Sequence, residues 1–243
     1  PRWAFRALSV GLGLLPEPKD RKHPLRFAKR FVEAGERPLL ERYLRWNAYF
    51  TDDLQSLLRP ELRVHAAPEV VLRSFEQGLG REGSVLARLL ELNFHTYLLD
   101  DLNVKMDRMS MAHGLETRSP FLDTALVEFG AGLPDRLRMR LGRGKLLLRR
   151  AMQGVLPPSI LERGKMGFGA PLGAWFRGGL GSFVEERLLD PASPLYEYLE
   201  REPVARLIRE HMSEKADLSP RIWALLTLES WLRQERGWGN PTP

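Results

Sequence analysis

The sequence predicts a mainly α-helical fold. Three observations carry that reading. Apolar residues recur at helical spacing, most clearly Leu86, Leu90, Phe94 and Leu98 across residues 84–99. Prolines such as Pro38, Pro68 and Pro220 stand where periodic stretches begin. Only one stretch, R-L-R-M-R-L at 136–141, alternates with the period of two that a half-buried strand requires.

Taken in order, residues 1–37 read as irregular, interrupted by Gly11, Gly13, Pro16, Pro18 and Pro24. Pro38 opens a helix that carries Leu40, Leu44 and Ala48, and a second begins near Pro68. Ser84 is the expected N-cap of the amphipathic helix 84–99. Residues 103–113 continue it with mixed polarity. The residue before a proline is pushed out of helical geometry, so Pro120 requires that helix to end between Gly114 and Ser119. Asp123 then caps a short helix with Leu126, Val127 and Phe129, stopped by G-A-G-L-P at 130–134. A strand is expected at 136–141 and a helix at 145–155. Pro203 reads as a first helical position. Ser219 reads as the N-cap of a last helix carrying Ile222, Leu225, Leu226, Glu229 and Leu232, ended by Gly237. There is no repeat and no low-complexity linker, so residues 1–243 read as a single mostly helical domain.

The 243 residues are 43% hydrophobic, enough for one large core or two small ones. With no cysteine, the chain itself has no disulfide, thiolate metal site or cysteine nucleophile. No apolar run approaches the ~20 residues that cross a bilayer. No signal-peptide pattern follows Arg2 and Arg6, and a cytoplasmic location is the expectation. The chain opens on Pro1 rather than Met, so the start of the protein is expected elsewhere. The net charge is +6, but the arginines are scattered through helical patterns beside glutamates, as in E-R-Y-L-R at 41–45 and L-I-R-E-H at 207–211. That is a salt-bridged surface rather than a nucleic-acid footprint. The same bases would serve a small anion such as a nucleotide polyphosphate.

Chemistry concentrates in two runs: D-D-L-N-V-K-M-D-R-M-S-M-A-H-G-L-E-T-R-S-P-F-L-D at 100–123 and R-G-K-M-G-F-G-A-P-L-G-A-W at 163–175. Glu116 and Arg118 fall on a turn, where they either point into a cleft or form a local ion pair at a helix end. Lys165 lies in a glycine-rich loop as a mobile point charge. A solvated lysine is the ordinary alternative, but only seven of the 37 basic residues are lysines, and Lys105, Lys145 and Lys165 stand in the motif half. G-R-G-K at 142–145 lacks the spacing of a phosphate loop. Asp100, Asp101, Asp107 and Arg108 line one segment; two acids seven apart on a helix make a metal pair conceivable, but no metal site is expected. His65, His95 and His211 have no metal-ligand spacing. His113, Met106, Met109 and Met111, with Trp175, Trp223 and Trp231, read as packing residues.

The two runs resemble the C-terminal part of the synthetase domain in glutamine-dependent asparagine synthetases, a superfamily that also holds the β-lactam synthetases. The resemblance is strong over 84–180 and returns at R-I-W-A-L-L-T-L-E-S-W-L, 221–232, so 84–236 is the motif-bearing part. Residues 1–83 match loosely. It implies the helical C-terminal portion of an ATP-pyrophosphatase-type α/β domain with the parallel-sheet half largely missing. The glutaminase domain and the S-G-G-x-D-S phosphate-binding loop are missing too. It further implies asparagine synthesis from aspartate, ATP and glutamine-derived ammonia through a β-aspartyl-AMP intermediate. Glu116 would handle the ammonia proton and Lys165 the ATP phosphates. Arg118, Arg163 and Lys145 would bind substrate or ATP, and Asp101, Asp107, Arg108, Asp123, Gly167 and Phe168 would support the site. For the acids at 100–107 that support is buried Asp–Arg hydrogen bonding, which the resemblance implies in place of a metal pair. ATP and Mg²⁺ belong to the parent enzyme, with none expected on this chain, which alone should be inactive. The missing N-terminal portions are the expected partners, with room for a homodimer, and neither nucleic acid nor membrane is. A related amide- or lactam-forming ligase and a non-catalytic helical interaction domain are the alternatives.

Overall fold

Helical periodicity is realised along most of the chain. The structure, a computed structural model, describes residues 11–12, 24–35, 37–51, 53–76, 78–80, 82–140, 142–164 and 169–238. Among them the only sheet is a two-stranded hairpin, so the mainly α class holds. No described helix is long and apolar enough to cross a membrane. The chain that the sequence reads as one domain packs as two compact units, 1–72 with 169–243, and 73–168.

The first unit has a core of its own. Three helices present apolar stripes at spacings of three and four. Gly181–Leu188 buries Val184 and Leu188, and Arg201–Met212 buries Val204, Leu207 and Ile208. Ser219–Trp238 buries Ile222, Leu225, Leu226 and Leu232. Phe176, from the helix Leu172–Arg177, completes the cluster. Residues 49–58 dock onto this core from far away in sequence. An isolated bridge joins Leu58 to Leu199, flanked by Arg59 N–H to Tyr198 O (3.0 Å) and Glu200 N–H to Leu57 O (2.7 Å). Arg221 pairs with Asp53 at 2.5 Å and donates to Tyr49 O at 2.9 Å.

Among the described residues this unit buries Ser193, His211, Ser219 and Glu229, of which Glu229 and His211 are ionisable. Glu229 has no solvent exposure, and each of its oxygens faces a guanidinium: Arg187 Nε at 2.9 Å and Arg233 Nε at 2.7 Å. A buried carboxylate is tolerated only with such pairing. His211 is also buried. The Leu218 N–H donates to its Nδ1 at 3.2 Å, and the Arg177 guanidinium lies 3.4 Å from the same atom. Burial first, then Arg177, holds the imidazole below its ordinary value of 6.5, with Asp217 partly opposing.

Several sequence expectations change in detail. Residues 24–35, read as irregular, form the helix Pro24–Gly35, since proline at a first position needs no N–H partner. Pro203 lies third in Arg201–Met212 rather than first, still inside the turn whose N–H groups have no helical acceptor. Asp217, not Ser219, ties down the start of the last helix, accepting from the Ser219 N–H (3.1 Å) and hydroxyl (2.7 Å). Gly237 falls within Ser219–Trp238. Trp175, Trp223 and Trp231 are exposed rather than packed; on the last helix, Trp223 and Trp231 lie opposite the buried stripe.

In the second unit the Ser84 hydroxyl accepts from Ala87 N–H at 3.1 Å, capping Val85–Asn93 as expected. The helix then changes register. Phe94–Asn103 is π-helical before Val104–Met111 resumes the α form. Asn93 donates to Leu89 O (2.8 Å) and Thr96 to Leu92 O (2.6 Å), occupying carbonyls of the regular ladder. The predicted stripe is not the buried one: Leu90 and Phe94 are exposed, and Leu92 is the buried residue. The predicted strand at 136–141 is mostly the helical turn Asp135–Arg138. Only Met139–Arg140 is extended, paired antiparallel with Arg143–Gly144. The helix expected at 145–155 is Leu146–Ala151, followed by Gly154 at φ +80°.

Arg187→Met strands Glu229 with one cation, and is expected to lower unfolding stability by roughly 2–3 kcal/mol. That is the low side for a buried pair, because Arg187 is 30% exposed and its loss is partly offset by water. Urea titration of variant and wild type measures it. His211 sets a pH response. Its folded value is depressed, so the unfolded chain takes up a proton that the folded chain refuses. Stability is therefore complete above about pH 6.5 and falls as pH drops below it. His211→Asn, which keeps an acceptor and cannot titrate, should flatten the fall in urea midpoint between pH 7.5 and 5.5. Equal falls in both proteins would show that His211 does not titrate there.

Candidate functional site

The Glu116 turn is built from the end of the helix Val104–Met111. Leu115 N–H reaches back to Ser110 O at 3.0 Å and Gly114 N–H to Met111 O at 2.9 Å, with Gly114 at φ +66°. This is a Schellman ending, in which a left-handed residue reverses the chain. It explains why the motif needs glycine two residues before its glutamate. Residues 115–119 then run without regular structure to the 3-10 turn Pro120–Leu122. Asp123 closes the segment as an N-cap, its Oδ1 accepting from Leu126 N–H at 3.2 Å, as expected. Ser110 and Thr117 hydroxyls lie 3.5 Å apart across the turn.

Glu116 and Arg118 form an ion pair at 2.5 Å, with side chains 70% and 86% exposed. The pair is thus a local ion pair on an exposed turn. The partial burial that a proton-handling carboxylate calls for is not supplied by these residues. The same correction applies to the supporting acids. Asp101 pairs with Lys105 one turn away at 3.3 Å rather than with an arginine, and Asp107 and Arg108 are exposed rather than buried as a pair. Within this unit the described residues leave that helix face exposed. His113, Met106, Met109 and Met111 are exposed as well.

Arg163 follows the helix Pro158–Glu162 and is exposed. Lys145 is exposed in a left-handed conformation, φ +59°, just before Leu146–Ala151. Among the described residues no hydrogen bond or ion pair joins either to the Glu116 turn. Lys165, Gly167 and Phe168 lie outside the described residues. Arg149 is structural: it donates to Gly144 O at 3.3 Å and to Leu161 O, tying the hairpin to the helix Pro158–Glu162. The sequence reading passed over a cleft beside that hairpin, lined by Arg136, Arg140, Arg143, Arg149 and Arg150. Its signal was the R-L-R-M-R-L-G-R run, read only as strand periodicity.

Comparison with known proteins comes down on one family. The asparagine synthase family model matches residues 5–233. Over 206 residues the chain is 30% identical to glutamine-hydrolyzing asparagine synthetase 1 of Bacillus subtilis (strain 168), covering 84% of this chain and 32% of that protein. It is 32% identical over 155 residues to a putative glutamine-hydrolyzing asparagine synthetase of Mycobacterium bovis, covering 60% of this chain and 22% of that protein. With the glutamine-hydrolyzing asparagine synthetase of Gallus gallus it shares 30% over 142 residues, 52% of this chain and 25% of that protein. The chain spans about a third or less of the length of these curated relatives. No solved structure matches it.

Gly114→Ala puts a Cβ on a left-handed residue. The Cβ meets nothing within 4 Å, so the cost is backbone strain alone, about 1 kcal/mol. Gly114→Asn should lose less, because asparagine tolerates that region. Thermal melts of the three proteins give the order; an alanine variant as stable as wild type would remove the Schellman account.

Proposed function

The chain belongs to the asparagine synthase family, and on that premise we propose that it is the C-terminal, helical part of the synthetase domain of a glutamine-dependent asparagine synthetase. In this reading ATP transfers AMP to the side-chain carboxyl of aspartate and releases pyrophosphate. Ammonia drawn from glutamine then attacks the activated carbon. The new C–N bond forms, the C–O bond to AMP breaks, and a proton leaves the nitrogen. Glu116 accepts that proton, and Arg118 orients the carboxylate. Lys165 stabilises charge as the phosphates separate, a contribution of roughly a few kcal/mol for a well-placed donor. Arg163 and Lys145 are the further candidates for substrate or ATP, and Asp101, Asp107, Arg108, Asp123, Gly167 and Phe168 support them.

The observation that carries the reading is the Glu116 turn. Its motif is intact, and local hydrogen bonds hold it so that Glu116 and Arg118 face outward. A site shared with a second part of the protein requires such an open face. In this reading Mg²⁺ accompanies the ATP phosphates in the complete protein, and no residue of this chain is assigned to hold it. The phosphate-binding loop, the glutaminase and the covering sheet are assigned to the rest of the protein, and the chain by itself is inactive in this reading. A lactam-forming relative would keep the same residues with another carboxylate; the names of the relatives favour aspartate.

The test is aspartate-dependent ATP–pyrophosphate exchange measured beside asparagine formation, in the complete protein. Lys165→Ala should lower exchange about tenfold or more with a smaller change in aspartate KM, and Lys165→Arg should restore only part. Glu116→Gln should spare exchange and depress asparagine formation. Wild-type rates for Lys165→Ala would end its assignment, and absence of aspartate-dependent exchange in the wild type would end the whole reading.

A further inference from the structure

One cleft of the second unit, about 1010 Å³ in volume, gathers five arginines over an apolar floor. Arg136, Arg140, Arg143, Arg149 and Arg150 line it, and Glu162 is the single carboxylate in its wall. Arg149 is committed to the backbone carbonyls of Gly144 and Leu161. The guanidiniums of the other four make no hydrogen bond and no ion pair with any described residue. Arg140 and Arg143 are, in addition, direct partners across the hairpin. Like charges in that position destabilise a strand pair, and arginine cannot relieve the repulsion by giving up its proton. Four unneutralised guanidiniums around one space raise the local concentration of anions. Their planar forks match phosphate oxygens two at a time.

We propose that this cleft is a binding site for a small polyanion carrying two or more linked phosphates. Four guanidiniums carry more positive charge than one phosphate offsets, and a linked pair presents enough oxygens to engage Arg140 and Arg143 together and relieve their repulsion. None of the lining residues is assigned to the synthetase reaction, so the site goes beyond that reading. Where that reading holds, two sources share the chemistry: pyrophosphate once released, and the polyphosphate tail of a nucleotide.

Calorimetry on the complete protein tests the proposal, with pyrophosphate, inorganic phosphate and a non-hydrolysable ATP analogue as probes. Pyrophosphate should bind more tightly than phosphate, and the Arg140→Gln/Arg143→Gln double variant should weaken it about tenfold or more, an effect that shrinks in high salt. The corresponding double lysine variant should retain part of the affinity. Pyrophosphate binding that persists in saturating ATP analogue identifies the free ion as the occupant. Displacement by the analogue, together with weaker analogue binding in the glutamine variant, identifies the nucleotide tail. The glutamine variant without ligand should melt no lower than wild type, since only repulsion has been removed. Unchanged affinity for both probes overturns the proposal. So does a lower melting temperature, which would give these arginines a structural role instead. Neither outcome bears on the exchange assay, so the two readings fail separately.

Discussion

Apolar surface left in water sets the terms for residues 73–168. Each square ångström covered is worth about 25 cal/mol, and helices with unburied faces hold together poorly on their own. In this unit Leu90, Phe94, Tyr97, Met109, Phe121 and Phe129 remain between 43% and 65% exposed, and among its described residues Leu92 alone is fully buried. Single exposed apolar residues need no explanation, but so many in one unit leave it with apolar surface that a further layer would cover. Under the proposed function the cover is the sheet-bearing half of the synthetase domain. The same cover would supply what Glu116 lacks here, a site partly closed to water.

The first unit shows the contrasting case. Phe176, Leu188, Leu195, Ile208 and Ile222 close a core, and of its polar groups Glu229 meets a guanidinium at each oxygen and His211 is held at Nδ1, while His211 Nε2 and the Ser193 hydroxyl have no hydrogen-bond partner. Glu229 occupies a position in the helical stripe where a leucine would serve burial equally well, and it is retained between Arg187 and Arg233. His211 accepts at Nδ1 from the chain that leads into the last helix, while Arg177 also holds the His211 carbonyl at 2.9 Å. Both contacts are directional. They place one helix against the next in a way that apolar contact alone does not specify.

What the sequence made legible was local. Ser84, Asp123 and the reversal at Gly114 were readable because a cap or a left-handed residue acts within three or four positions of itself. Helical class was readable from periodicity. The exposure of Trp223 and Trp231, and of the Leu90–Phe94 stripe, was not. Periodicity shows that a face is apolar and says nothing of what lies against it. The π-helical register of Phe94–Asn103 was hidden because Asn93 and Thr96 capture carbonyls without disturbing the hydrophobic pattern. The run at 136–141 was read for its alternation and 142–145 for its spacing, so the arginines they bring to one cleft were not considered together.

The site divides along the same line. The shape of the Glu116 turn rests on contacts no more than a few residues long: Leu115 to Ser110, Gly114 to Met111, Ser110 beside Thr117, Asp123 to Leu126. Such a turn can form without its surroundings, which is why its residues are so recognisable as a string. Its proposed chemistry is not local. Proton transfer from ammonia needs Glu116 partly withdrawn from water and an activated carboxyl brought to it. Lys165 belongs to a separate segment of sequence some fifty positions on. A short motif can therefore announce a reaction that the segment bearing it, taken alone, is not equipped to perform.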